Sequence, residues 1–270
     1  MPTIVWTSLI GHAFLDGYEH FKSGEYLETA VSACHHILCD YERYAYEEGL
    51  CISYVPGLNN QVHNANFLAA CLLARTYSHT RDEKFLHPAL QVARQSAARQ
   101  QDDGSWYYGE AQSQRWIDNF HTGYNLCALL DLSNYAGTDE FDSVIGQGFT
   151  FYRNHFFTDD GSVRYFHDST YPIDIHSVAQ SIITLVRFRN VDRGNLVLAQ
   201  TVFDWAFRHM WDKRGFFFYR VLRSHTNRVS FMRWSQAWMV LAMVTLAEAS
   251  QCDRIEEGGE LAHSVRLSQV

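Results

Sequence analysis

Four glycines, Gly49, Gly104, Gly161 and Gly215, recur at intervals of 55, 57 and 54 residues, and so regular a period confines the chain to a repeat architecture. Each follows charged residues: Glu47-Glu48, Asp102-Asp103, Asp159-Asp160 and Asp212-Lys213-Arg214. Each precedes aromatic ones: Tyr54, Trp106-Tyr107-Tyr108, Tyr165-Phe166 and the run from Phe216 to Tyr219. Polar and aromatic residues therefore cluster just after every turn, which is where a site is sought first.

Between the turns lie two helical patterns. One is apolar nearly all round, at 67–73, 124–132, 178–186 and 238–246, as expected of a buried helix. The other is amphipathic: Leu86, Ala89, Leu90, Ala93 and Ala97 share one face, as do Leu196, Ala199, Val202, Phe203 and Ala206. A first pair fits the scheme, with 5–14 inner and 26–38 outer. Short connectors such as Ser23-Gly24-Glu25 and Asp82-Glu83-Lys84 make the partners antiparallel. The unit is a helical hairpin with an aromatic return loop, in which Cys51 to Tyr54 and Phe216 to Tyr219 have strand propensity. A period near 55 is too long for tetratricopeptide, armadillo or ankyrin repeats and suits an all-α (α/α) toroid. The expected organisation is one toroid domain over 1–252 and a C-terminal tail over 253–270, where the periodicity lapses.

Composition excludes several classes. The 270 residues are 47% apolar and supply one large core. A net charge of −8 without basic runs argues against nucleic acid. No apolar run reaches membrane-spanning length, and the N-terminus lacks the marks of a secretory signal. Six cysteines without a Cys-x-x-Cys pair read as reduced thiols in a cytoplasmic protein. The histidines lack the spacing of a metal site, so neither metal nor cofactor is expected.

The inner helices begin with unusual polar sets. His121 and His176 are one repeat apart, with Asp118 three residues before the first and Asp174 two before the second. If neighbouring helices bring them together, imidazoles that titrate near neutral pH could move a proton at a substrate. Asp118, His121, Asp174 and His176 are the catalytic candidates; as N-caps, the two aspartates also have a purely structural explanation. His63, Asn66, Glu110, Tyr124, Gln180 and Gln236 are expected to contact substrate, with Arg115 and Arg233 recognising an acidic group. Trp106, Trp116, Trp234 and Trp238 offer faces for sugar rings, although packing between repeats is the commoner role of a tryptophan.

The stretches 103–110, 115–123 and 171–176, with Arg233-Trp234-Ser235-Gln236-Ala237-Trp238, resemble the VpsJ-type polysaccharide biosynthesis proteins over about 5–250. The resemblance implies a six-hairpin toroid of the kind found in sugar epimerases, polyuronate lyases and many glycosidases. It also implies a part in making bacterial exopolysaccharide, with a carbohydrate substrate and other assembly proteins as partners. A closed six-hairpin ring has twelve helices and this chain about nine, so an incomplete ring lacking its N-terminal hairpins is expected, either a shortened open form or an incomplete gene product. Three functions compete: an epimerase, lyase or hydrolase acting on an acidic sugar; a non-catalytic glycan-binding or scaffold protein; and a terpenoid-cyclase-like toroid. The last draws on Gln101 to Trp106, but the chain has no Asp-x-Asp-Asp acid motif.

Overall fold

The computed structural model describes residues 3–58 and 60–267, of which 253–267 as backbone. They divide into two compact units, one up to Asn154 and the other from His155.

In the first unit, α1 (Ile4–Phe21) and α2 (Gly24–Asp40) form a hairpin, followed by the short antiparallel strands β1 (Arg43–Ala45) and β2 (Leu50–Ile52). Next come α3 (His63–Thr80), α4 (Glu83–Ala97), α5 (Asn119–Ala136) and α6 (Asp142–Phe156). α3 lies at the centre, against α1, α4 and α5. Every residue from His63 to Thr76 is buried, as the all-round apolar pattern predicts. Phe67, fully enclosed, contributes about 2–3 kcal/mol relative to an exposed ring. The ends of α1, α3 and α5 repeat as well. Lys22, Arg81 and Gly137 each take the left-handed conformation and return an N–H to the carbonyl four residues back.

The second unit holds β3 (Ile173–Asp174), α7 (Ile175–Arg187), α8 (Gly194–Met210), β4 (Trp211–Asp212) and β5 (Phe216–Phe217). β6 (Arg220–Val221), β7 (Thr226–Asn227) and α9 (Ala237–Leu267) complete it. α7 packs on α8 and α9. The strands form two small antiparallel sheets, β3-β6-β7 and β4-β5. A π-helical turn at Met232–Gln236 leads into α9. Part of the expected tail is therefore the backbone of α9; residues 268–270 lie outside the described ones.

Three of the four periodic glycines, Gly49, Gly104 and Gly161, have a common purpose. A Cβ on Gly49 would come 2.1 Å from the Gln91 carbonyl oxygen of α4, and one on Gly104 would come 2.4 Å from that of Gln147 in α6. On Gly161 it would lie 2.9 Å from the Thr201 oxygen of α8. Each return loop thus rests on the backbone of the outer helix that follows it, where no side chain fits. Gly104, Gly161 and Gly215 also have φ near +90°, whereas Gly49 does not; its constraint is contact alone.

α1 and α9 depart from the all-round burial expected of inner helices. α1 buries one stripe, Ile4, Ser8, Gly11 and Leu15, and leaves Trp6, Ile10 and Phe21 at 51–65% exposure. α9 buries Met239, Ala242, Leu246 and Ala249 while Val240, Leu241 and Val244 face water. Both helices are apolar on two faces and covered on one.

Candidate functional site

The first unit builds its site on the loop between α4 and α5. Tyr108 and Trp116 pair across it (Tyr108 N–H to Trp116 O, 2.8 Å), and a 3₁₀ turn at Gln112–Gln114 closes its tip. Bonds from His63 N–H to Tyr108 O (3.2 Å) and Glu110 N–H to Gln61 O (3.0 Å) fasten the loop to the start of α3. Tyr108 and Trp116 stack at 4.6 Å and 10°.

Asp118 caps α5 and organises the site. Its Oδ1 accepts the His121 backbone N–H at 3.0 Å. Its Oδ2 accepts the Trp116 indole N–H at 2.8 Å and lies 2.7 Å from His121 Nδ1. An ionised carboxylate only accepts, so in the neutral imidazole Nδ1 carries the hydrogen and Nε2 the lone pair. The His121 side chain is 21% exposed while that of Asp118 is fully enclosed. Nε2 has no hydrogen-bond partner among the described residues. Tyr108 lies against the imidazole at 4.5 Å. Its hydroxyl bonds that of Tyr54, and burial raises both phenols above their ordinary value. Nearby, buried His63 meets Glu110 at 2.9 Å through Nε2, and that bond holds the half-buried Glu110 carboxyl below its usual range.

The second unit repeats the theme with different partners. Asp174 caps α7, its side chain fully enclosed. Oδ1 accepts the His176 N–H (2.9 Å) and the Trp234 indole N–H (3.2 Å). Oδ2 takes Arg220 through Nε (2.9 Å) and Nη2 (2.6 Å), the two residues standing opposite in the β3–β6 pair. Burial lifts the Asp174 carboxyl above its ordinary value, against the pull of Arg220. The His176 ring is buried against the indoles of Trp234 (4.2 Å) and Trp238 (4.7 Å). Asp174 thus has Arg220 as an ion-pair partner.

Three expected substrate contacts are structural. Trp106 is 2% exposed, donates to Ser96 O (3.0 Å) and sits edge-on to Phe67, so it offers no face to a sugar. The Asn66 amide spans Ile52, accepting its N–H (2.8 Å) and donating to its carbonyl (3.2 Å). Gln236 grips Phe217 in the same way, at 2.9 and 2.8 Å. Each amide acts as a one-residue strand mate for its return loop. Tyr124 and Gln180 are buried within α5 and α7, Gln180 donating to Thr184 Oγ1. Arg115 and Arg233 are exposed; Arg115 leans on Tyr107 and bonds Glu110 O. Sequence reasoning passed over Tyr54, Tyr108, Tyr219 and Arg220. The aromatic runs after the glycines pointed to the tyrosines, whereas nothing local marks Arg220 as the partner of Asp174. Among the described residues no histidine, cysteine and carboxylate group is arranged to hold a metal, and no helix is long and apolar enough to cross a membrane.

No protein-family model and no curated protein matches the chain. Solved structures do. A sugar epimerase from a ruminal bacterium superposes with a TM-score of 0.77 at 13% identity, over 96% of this chain and 73% of its own. Cellobiose 2-epimerase from Bacillus thermoamylovorans gives 0.73 at 12%, over 92% and 72%. The family 76 α-mannanase of Bacteroides thetaiotaomicron gives 0.65 at 10%, over 80% of this chain and 64% of its own, so the chain spans less than two thirds of that enzyme. The fold is that of the (α/α)-toroid sugar enzymes. At such identities the likeness is one of fold, and the reaction has to be argued from the site.

Proposed function

We propose that the protein acts on carbohydrate by moving a proton at a sugar carbon, in the manner of an epimerase or lyase, with His121 as the base. The carrying observation is the contrast between imidazole and carboxylates. His121 Nε2 is open to solvent and its tautomer is set by Asp118. Asp118 and Asp174 are enclosed, with both oxygens of each already bonded. Glycoside hydrolysis calls for two carboxyls that reach the glycosidic bond or a water beside it. These two aspartates serve instead as anchors. The parallel Tyr108–Trp116 pair next to His121 supplies a flat apolar surface for a pyranose ring. Within this reading the substrate is an acidic sugar or oligosaccharide of bacterial exopolysaccharide biosynthesis, handled in the cytoplasm.

Solvent exchange tests the chemistry. With candidate uronate-containing oligosaccharides in deuterium oxide, the wild-type chain incorporates deuterium at a ring carbon. His121→Ala lowers the rate about 10²–10⁴-fold, as expected for loss of a general base. Asp118→Asn lowers it through the wrong tautomer and changes the pH profile. Undiminished exchange in His121→Ala refutes the assignment. A second reading, a non-catalytic glycan-binding protein, is favoured by the same aromatic stack. It requires that Trp116→Ala weaken glycan binding while His121→Ala leaves it untouched and no exchange occurs in any variant.

A further inference from the structure

The second unit carries a cation whose geometry the proton-transfer reading does not use. A guanidinium has two edges able to take a carboxylate in a fork. Arg220 meets Asp174 side-on, with Nε and Nη2 converging on the single oxygen Oδ2, so the terminal Nη1–Nη2 edge is not engaged. Nη1 has no hydrogen-bond partner among the described residues and is not enclosed. The group is fixed all the same. Its carbon lies over the rings of Tyr219 (4.6 Å) and Tyr165 (5.3 Å), and its anchor Asp174 is held by Trp234 and the α7 backbone.

Other arginines of the chain differ. Arg94 and Arg214 are exposed and form complete forks with both oxygens of Glu140 and Asp212. Arg75 is 8% exposed and divided between Asp16 and Glu19. Arg220 alone among these is rigid, a quarter exposed and half used. Beside it the Tyr219 hydroxyl also has no hydrogen-bond partner among the described residues.

We infer that Arg220, with the Tyr219 hydroxyl, forms an anion-binding subsite that takes the carboxylate or phosphate group of a sugar. Asp174 fixes the direction of the guanidinium, and the rings of Tyr219 and Tyr165 lie against it. The anion takes the open edge through two parallel N–H bonds, stronger and more selective than a contact to a mobile lysine. The anionic part stands on the second unit alone; that a sugar carries the anion rests on the carbohydrate reading above.

Calorimetric titration of the full chain with trigalacturonate, its methyl ester and inorganic phosphate tests it. The expected result is at least ten-fold tighter binding of the free acid than of the ester. Arg220→Gln abolishes that difference and leaves ester affinity unchanged. Because this variant strands Asp174 in the core, Tyr219→Phe, which removes one hydroxyl, is measured beside it; about a three-fold loss for the acid and none for the ester is expected. Equal binding of acid and ester by wild type, or a preference that survives both substitutions, overturns the subsite. Arg220-dependent binding of inorganic phosphate without binding of either saccharide keeps the anion site and counts against the sugar.

Discussion

Asn66 shows how a polar residue at the mouth of a helix can be mistaken for a ligand contact. Its amide satisfies both the N–H and the C=O of Ile52, which is fully buried. Asn66→Leu leaves both groups without partners, at about 1–3 kcal/mol each. Urea unfolding should therefore shift markedly, while glycan affinity per folded molecule stays unchanged; a loss of affinity at wild-type stability would restore Asn66 to the binding surface. The pairing of Asp118 with His121 was open to sequence reasoning because cap and imidazole are three residues apart on one turn. That of Asp174 with Arg220 was not: 46 residues separate them, and the contact exists only because β3 and β6 pair in one register. Tyr54 and Tyr108 meet for the same non-local reason.

Helices were legible because their apolar spacing is a local property, and α3 and α7 are as enclosed as their composition requires. The one-sided burial of α1 and α9 was not, since composition records which faces are apolar and not which are covered. Return loops are governed by glycine, and a substitution series separates its two causes. Gly215→Ala meets nothing within 4 Å among the described residues and bears only the cost of positive φ, about 1–3 kcal/mol. Gly49→Ala bears only the clash with Gln91 O, about 1–3 kcal/mol by overpacking. Gly104→Ala bears both and should be the least stable of the three in thermal melts. A loss in Gly104→Ala no larger than that in Gly215→Ala would mean that the helix contact costs nothing.

At the scale of the whole molecule, stability should depend on pH through a cluster far along the chain from the histidines of the site. Half-buried His12 is pushed down to about 3, chiefly by loss of water and then by the Arg75 guanidinium. The folded chain keeps this imidazole neutral while the unfolded chain protonates it below about 6.5. The contribution is therefore complete above that value and is lost as pH falls from 6.5 toward 3. About 1.4 kcal/mol goes for each unit of pH in that interval. Comparing urea midpoints at pH 7.5 and 5.5 for wild type and His12→Gln checks this; the difference between the two pH values should shrink in the variant. The fold itself survives comparison at 13% identity because period and apolar pattern can be met by many sequences. A reaction resides in a few side chains and does not share that tolerance.

The close contacts of Gly49, Gly104 and Gly161 with the helix ahead bear on how such a chain can be lengthened or redesigned. At Gly49 and Gly104 the contact is main chain against main chain, so it does not call for a particular side chain on the outer helix. An added module needs little more than a glycine at its seam and a carbonyl some forty residues downstream to dock on its neighbour.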